Sequence, residues 1–158
     1  MQVFIMRHGD ASQFGSSDAE RPLTEQGQLE ASVMAKWLQG NHIEFDHILI
    51  SPYKRAQQTA AQLLSILDCS PSTTTLDLIT PSGSTQAVHD YIDGISAVER
   101  IERLLIVSHM PLVSYLVAEL TVEQEAPIFQ TAGIAEVEYD LKRMKGHLTR
   151  LVSPNDLC

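Results

Sequence analysis

Residues 1–10 read MQVFIMRHGD, and two later stretches follow the same pattern: HILIS at 47–51 and RLLIVSH at 103–109. Each is a short aliphatic run that stops abruptly at polar side chains. Runs without alternation suit strands buried on both faces, as in a parallel sheet. The first strand covers residues 2–8 and ends in Arg7 and His8, followed by Gly9. An apolar strand that merely surfaces could end in any polar residue. Adjacent basic side chains at its exit point to something negative.

Helical spacing separates the strands. After the loop ASQFGSSDAERP, Thr24 is placed to cap a helix whose Leu29, Val33, Met34, Trp37 and Leu38 share a face as far as Gly40. Ser51 and Pro52 read as N-cap and first residue of a second helix, with Ala56, Ala60, Leu63, Leu64 and Leu67 inward. TTTLD (73–77) is a weaker strand, and Ser84–Ser96 a helix with Val88, Tyr91, Ile92 and Ile95 inward. Pro111 opens an apolar helix that runs to Leu120. Ile134, Val137 and Tyr139, a KRMKG turn, then Leu148 and Leu151 predict antiparallel strands added at an edge. Strands alternating with helices predict an α/β fold, a mostly parallel sheet with an antiparallel edge and helices on both faces. Ligands in such folds bind beyond the carboxyl ends of the strands.

The chain has 158 residues, 44% hydrophobic and 20% charged, which fits one globular domain spanning residues 1–158. Eleven Lys and Arg against twenty Asp and Glu leave a net charge of −9. Such a chain is unsuited to non-specific binding of nucleic acid or an anionic membrane. An anionic ligand must therefore be held by a local cluster of cations. Cys69 and Cys158 form no CxxC pair, which fits a reducing compartment. The Met1–Met6 run is too short for a signal segment, and no run has membrane-spanning length, so a cytoplasmic location is expected. His42 and His47 flank Glu44 and Asp46, but no ligand spacing recurs elsewhere. They read as a polar approach to a strand, and neither a metal nor a cofactor is expected. His89 and His147 read as surface residues.

Three strand ends, if parallel, bring Arg7 and His8 together with Arg55 and His109. Lys54 and Arg55 at a helix start oppose the helix macrodipole, an arrangement that becomes favourable once an anion binds. A phosphate suits this corner, because helix N-termini offer free N–H groups and guanidinium groups pair bidentately with phosphoryl oxygens. A neutral imidazole can accept a phosphoryl group, while Arg7, Arg55 and a protonated His109 stabilise equatorial oxygen charge without a metal. Gly9 leaves room for close approach to the substrate and favours His8 over His109 as the nucleophile. Spacing alone leaves that choice open. Taken singly, each residue also has a plainer reading: His109 as a core histidine, Arg55 as a solvated helix residue.

FIMRHGDA (4–11), SPYKRAQQTA (51–60) and VSHMPLVSYLVAEL (107–120) resemble the histidine phosphatase superfamily, also called phosphoglycerate mutase-like. DAERPLTEQG, LDLITPSG and the PIFQTAGIAEVEYD tail are similar to its branch of small bacterial phosphohistidine phosphatases. The resemblance implies a three-layer α/β/α sandwich and a covalent phosphohistidine on His8, with Arg7, Arg55 and His109 forming the phosphate pocket. It also matches Asp18 and Arg21 to residues lining the site, although a surface ion pair would explain both. Mutases and acid phosphatases of the superfamily carry an acidic proton donor in an insertion after the second arginine motif. Here residues 56–108 leave little room for one, and Asp77, the nearest candidate, reads as structural. An alcohol leaves poorly without a proton, whereas a departing imidazole, with a pKa near ~6.5, is easily neutralised. The implied substrate is a phosphohistidine-bearing protein: a histidine phosphotransfer (HPt) domain of a sensor kinase in a two-component relay, or a phosphocarrier protein. The alternatives are a small-molecule phosphatase or mutase and a catalytically silent phosphate-binding adaptor.

Overall fold

The computed structural model describes residues 1–157. Among the described residues Cys69 forms no disulfide, and Cys158 lies outside them. The strands are β1 (Gln2–Arg7), β2 (His47–Ile50), β3 (Ser72–Thr75), β4 (Arg103–Ser108), β5 (Ile134–Asp140) and β6 (Lys145–Val152). The helices are α1 (Glu25–Gly40), α2 (Lys54–Ile66), α3 (Thr85–Val98), α4 (Leu112–Leu120) and a short α5 (Pro154–Leu157). No helix among the described residues is long and apolar enough to cross a membrane.

The six strands form one sheet in the order β3-β2-β4-β1-β5-β6. The first four are parallel, and β5 and β6 add antiparallel beyond β1, as the C-terminal alternation predicts. From β1 the chain winds one way, to β2 and β3; from β3 it returns through β4 to β5. Right-handed crossovers in opposite directions place their helices on opposite faces. One face packs Phe4, Met6, Ile48, Ile50, Leu105 and Val107 against Met34, Leu38, Ala56, Ala60 and Leu63 of α1 and α2. The other packs Val3, Ile5, Leu49, Leu104 and Ile106 against Val88 and Ile92 of α3 and Leu112, Leu116 and Leu120 of α4. Consecutive strand residues thus alternate between two cores, which is why β1 and β4 show no polar face. Each large apolar side chain buried this way contributes roughly 1.5–3 kcal/mol. The result is a three-layer α/β/α fold.

Several local expectations need correction. In α1 the buried stripe is Gly27, Ala31, Met34, Ala35 and Leu38, while Leu29 is 62% exposed. Thr24 does cap this helix, accepting from the Gly27 N–H at 3.0 Å. Helix α2 begins at Lys54 rather than Pro52, with Tyr53 in the capping position. Helix α4 begins at Leu112, with Pro111 in the capping position. The third strand ends at Thr75, and Asp77 lies exposed in the 3-10 turn that follows. His89 is buried, not on the surface: its Nδ1 pairs with Glu119 at 2.8 Å and its Nε2 with the Tyr139 hydroxyl at 2.7 Å. His147 is exposed as expected. His47 turns inward to Thr74 and Glu99, whereas the Asp46 carboxylate accepts from the Glu102 and Arg103 N–H groups, so this cluster does not converge.

Candidate active site

Adjacent β1 and β4 are followed by connections that leave in opposite directions, so a crevice opens between their carboxyl ends. Arg7 is the last residue of β1 and pairs with Ser108, the last of β4. His8 and His109 follow directly. The His8 N–H donates to the Ser108 carbonyl at 3.0 Å, and its own carbonyl accepts from the Ala132 N–H at 2.9 Å. The backbone of His8 is thereby held from both sides.

Its side chain is oriented as firmly. Nδ1 lies 2.6 Å from the Gly9 carbonyl, an acceptor only, so Nδ1 carries the ring proton and Nε2 presents a lone pair. Arg55 Nε donates to that Nε2 at 3.3 Å. The Gly9 N–H is taken up by Thr59 Oγ1 at 3.1 Å, one turn along α2 from Arg55. Gly9 packs so close to α1 that a Cβ there would lie 2.6 Å from the Gly27 carbonyl oxygen. It has no positive φ, so close approach rather than an unusual backbone angle requires glycine here.

Arg55 is buried at the start of α2 and fixed by Asp18, whose backbone carbonyl accepts from Nη1 at 2.6 Å and whose carboxylate lies 3.3 Å from Nη2. The Tyr53 ring lies 5.0 Å from the guanidinium and 5.0 Å from the His109 ring. Arg7 Nη1 donates to the Phe129 carbonyl at 2.8 Å, while its buried Nε has no partner. The His109 ring stands 5.1 Å from that of His8. Its Nε2 is 2.7 Å from Ser51 Oγ, and its Nδ1 is buried without a partner. Arg21 does not reach Arg55 or either histidine directly. It donates to Asp18 Oδ1 at 2.8 Å and to the Ser12 carbonyl at 2.7 Å, so Asp18 belongs both to a surface ion pair and to the brace on Arg55.

Electrostatics follow from burial among cations. Burial pushes His8 down to about 4; the Gly9 carbonyl opposes it, and Arg55, Arg7 and Arg21 each add a smaller push downward. Burial, then His8 and Arg55, push His109 down to about 3. Both rings are neutral at pH 7 in the unliganded pocket. The expectation of a protonated His109 is therefore corrected: burial and neighbouring arginines disfavour a further cation. The Arg21 hydrogen bond, with help from Arg55, holds the Asp18 carboxyl below the usual carboxylate range. Asp18 is thus ionised and has no proton to give. The pocket contains a neutral nucleophilic nitrogen, two guanidinium groups and two buried ring or guanidinium nitrogens without partners.

Arg7, His8, Gly9, Arg55 and His109 come together as the strand-end argument expects, and Asp18 joins them through Arg55. Sequence reasoning missed Thr59, Ser51 and the Phe129 carbonyl. Thr59 lies four residues after Arg55 on the same helix face, which is a usable signal. Ser51 is obscured by its resemblance to a helix cap, and a backbone carbonyl leaves no mark on composition.

The chain belongs to the histidine phosphatase superfamily. A model of that family (branch 1) matches residues 3–78. The chain is 43% identical over 140 residues to the phosphohistidine phosphatase SixA of Escherichia coli (strain K12), covering 89% of this chain and 86% of that one. It is 37% identical over 148 residues to a SixA homolog of Haemophilus influenzae, covering 89% of each. The fold superposes on a structure of the protein histidine phosphatase SixA complexed with tungstate at a TM-score of 0.95, with 40% identity and 100% coverage of both chains. The α-ribazole phosphatase structure from Shigella flexneri, at 19% identity and a TM-score of 0.76, shares the fold alone.

Proposed function

We propose that this chain is a protein-phosphohistidine phosphatase that works through a covalent phosphohistidine on His8. The observation that carries the reading is the His8 Nε2 lone pair, held by the Gly9 carbonyl and ringed by Arg7, Arg55 and His109. In the first step Nε2 attacks phosphorus and the substrate P–N bond breaks. The departing imidazole is neutral because its other ring nitrogen takes a proton from solvent. Arg7 and Arg55 stabilise the equatorial oxygens. Water then attacks phosphorus, the second bonding pair returns to His8 Nε2, and the water proton passes to solvent. The ionised Asp18 supports P–N over P–O cleavage, since an alkoxide would need an acid to leave.

A protein substrate is supported by two exposed apolar side chains on the chain segments that brace the pocket arginines. Phe14, 83% exposed, stands in the loop leading to Asp18; Ile128, also 83% exposed, directly precedes the Phe129 that holds Arg7. We assign the partner as an HPt domain of a two-component relay or a phosphocarrier protein, and the location as the cytoplasm. The similarity to SixA supports the phosphoprotein partner, and the absence of any CxxC pair fits the location. The test is phosphorus NMR of wild type and His8→Ala, each given a phosphorylated HPt domain, a phosphorylated phosphocarrier protein and a panel of phosphate esters. Loss of a phosphohistidine signal with wild type only, with the esters intact, is expected. Ester turnover with both phosphohistidines intact would overturn the substrate class, and turnover by His8→Ala would overturn the nucleophile.

A further inference from the structure

Ser51 belongs to no part of the mechanism above, yet it is fully buried and its hydroxyl lies 2.7 Å from His109 Nε2. The same oxygen accepts the Tyr53 N–H at 3.2 Å. That leaves two ways to place protons. If His109 carried its proton on Nε2, the Ser51 hydroxyl hydrogen and the Nδ1 lone pair would both be buried without a partner. If Ser51 donates to Nε2, its hydroxyl is used fully and the ring proton moves to Nδ1. The second arrangement leaves a single unmatched group, the Nδ1–H. An unsatisfied buried donor is costly, so this choice of proton positions is favoured by the difference of one unmade hydrogen bond.

We propose that Ser51 is a positioning residue: it donates to His109 Nε2 and so fixes the tautomer in which Nδ1–H is aimed at a phosphoryl oxygen. The acceptor missing inside the chain is supplied by the substrate, beside the similarly unmatched Nε of Arg7. His109 then donates a hydrogen bond while neutral, which matters because burial and its neighbours keep it from holding a second proton. The pocket acquires a donor without a third buried cation next to Arg7 and Arg55.

The identity of the acceptor rests on the phosphatase reading; the tautomer does not, and the two are tested separately. Long-range proton–nitrogen correlation spectra of wild type, with the His109 signals assigned by His109→Asn, are expected to show a protonated Nδ1 and a bare Nε2 at pH 7.5. A bare Nδ1 in wild type would overturn the proposal without any variant of Ser51. Ser51→Ala is expected to shift the proton to Nε2 or mix the two forms, and Ser51→Thr to retain Nδ1–H. Retention of Nδ1–H in Ser51→Ala would overturn the role of Ser51. Inorganic phosphate is expected to bind Ser51→Ala about tenfold more weakly, the size of one hydrogen bond to a charged acceptor. Unchanged phosphate affinity with a shifted tautomer would overturn the assignment of the acceptor. Loss of phosphohistidine turnover in wild type would leave the spectra intact and bear on the enzyme reading alone.

Discussion

Replacing His8 with asparagine makes the fold less sensitive to acid, by an amount that follows from the burial of the ring. In the folded protein His8 is held at about 4, whereas a histidine in the unfolded chain titrates near ~6.5. Between those values the unfolded chain binds a proton that the folded chain refuses. The stabilisation is therefore complete above the unfolded value and is lost as pH falls toward the folded one. From pH 7.5 to 5.5 one such group costs about 1.3 kcal/mol. His109, held at about 3, costs the same over this window, since both folded values lie well below it. The lower limit stays above the isoelectric point near 5.0, where precipitation would obscure unfolding. Urea unfolding followed by the fluorescence of the single Trp37 is expected to show wild type losing about 1.3 kcal/mol more than His8→Asn between the two pH values. Equal losses would mean that His8 is not buried in neutral form, and the picture of a lone-pair nucleophile would fail with it.

Three further substitutions separate space from charge. Gly9→Ala places a methyl 2.6 Å from the Gly27 carbonyl, and is expected to cost about 1–3 kcal/mol of stability by urea unfolding. Gly40→Ala, with open space around the added carbon at the end of α1, is neutral or slightly stabilising in the same assay. Asp18→Ala removes a carboxylate whose side chain is 55% exposed but keeps the backbone carbonyl that accepts from Arg55 at 2.6 Å. Turnover of a phosphorylated HPt domain is expected to fall by no more than about fivefold. A loss of a hundredfold would place that carboxylate in the chemistry.

Strands β1, β2 and β4 were legible because each is buried on both faces, so MQVFIM and RLLIV show unbroken apolar runs, whereas the exposed β3 gives only a weak signal. The pocket was legible for a related reason: parallel strands share one carboxyl edge, and Arg7, His8 and His109 all stand there, with Arg55 one turn beyond. The position of β4 between β2 and β1 was not readable, since it depends on crossover direction and not on local pattern. Misreadings occurred where a side chain takes a partner from far along the chain. Ser51 looks like a helix cap until His109 is brought beside it. His89 looks like a surface residue until Glu119 and Tyr139 close around it. Leu29 shows the opposite failure: its apolar character fits the helical stripe approximately, and the stripe that packs is smaller and one face over.

His8 and His109 stand at the ends of β1 and β4, strands that are paired on both edges, while the exposed Phe14 and Ile128 stand on loops. On the proposed reading, chemistry and recognition are carried by different parts of the chain. Residues in the two loops can be exchanged without disturbing the strand register that brings the histidines together. Over evolutionary time such an enzyme can drift from one phosphoprotein to another, or toward smaller phosphorylated compounds, while its nucleophile stays in place.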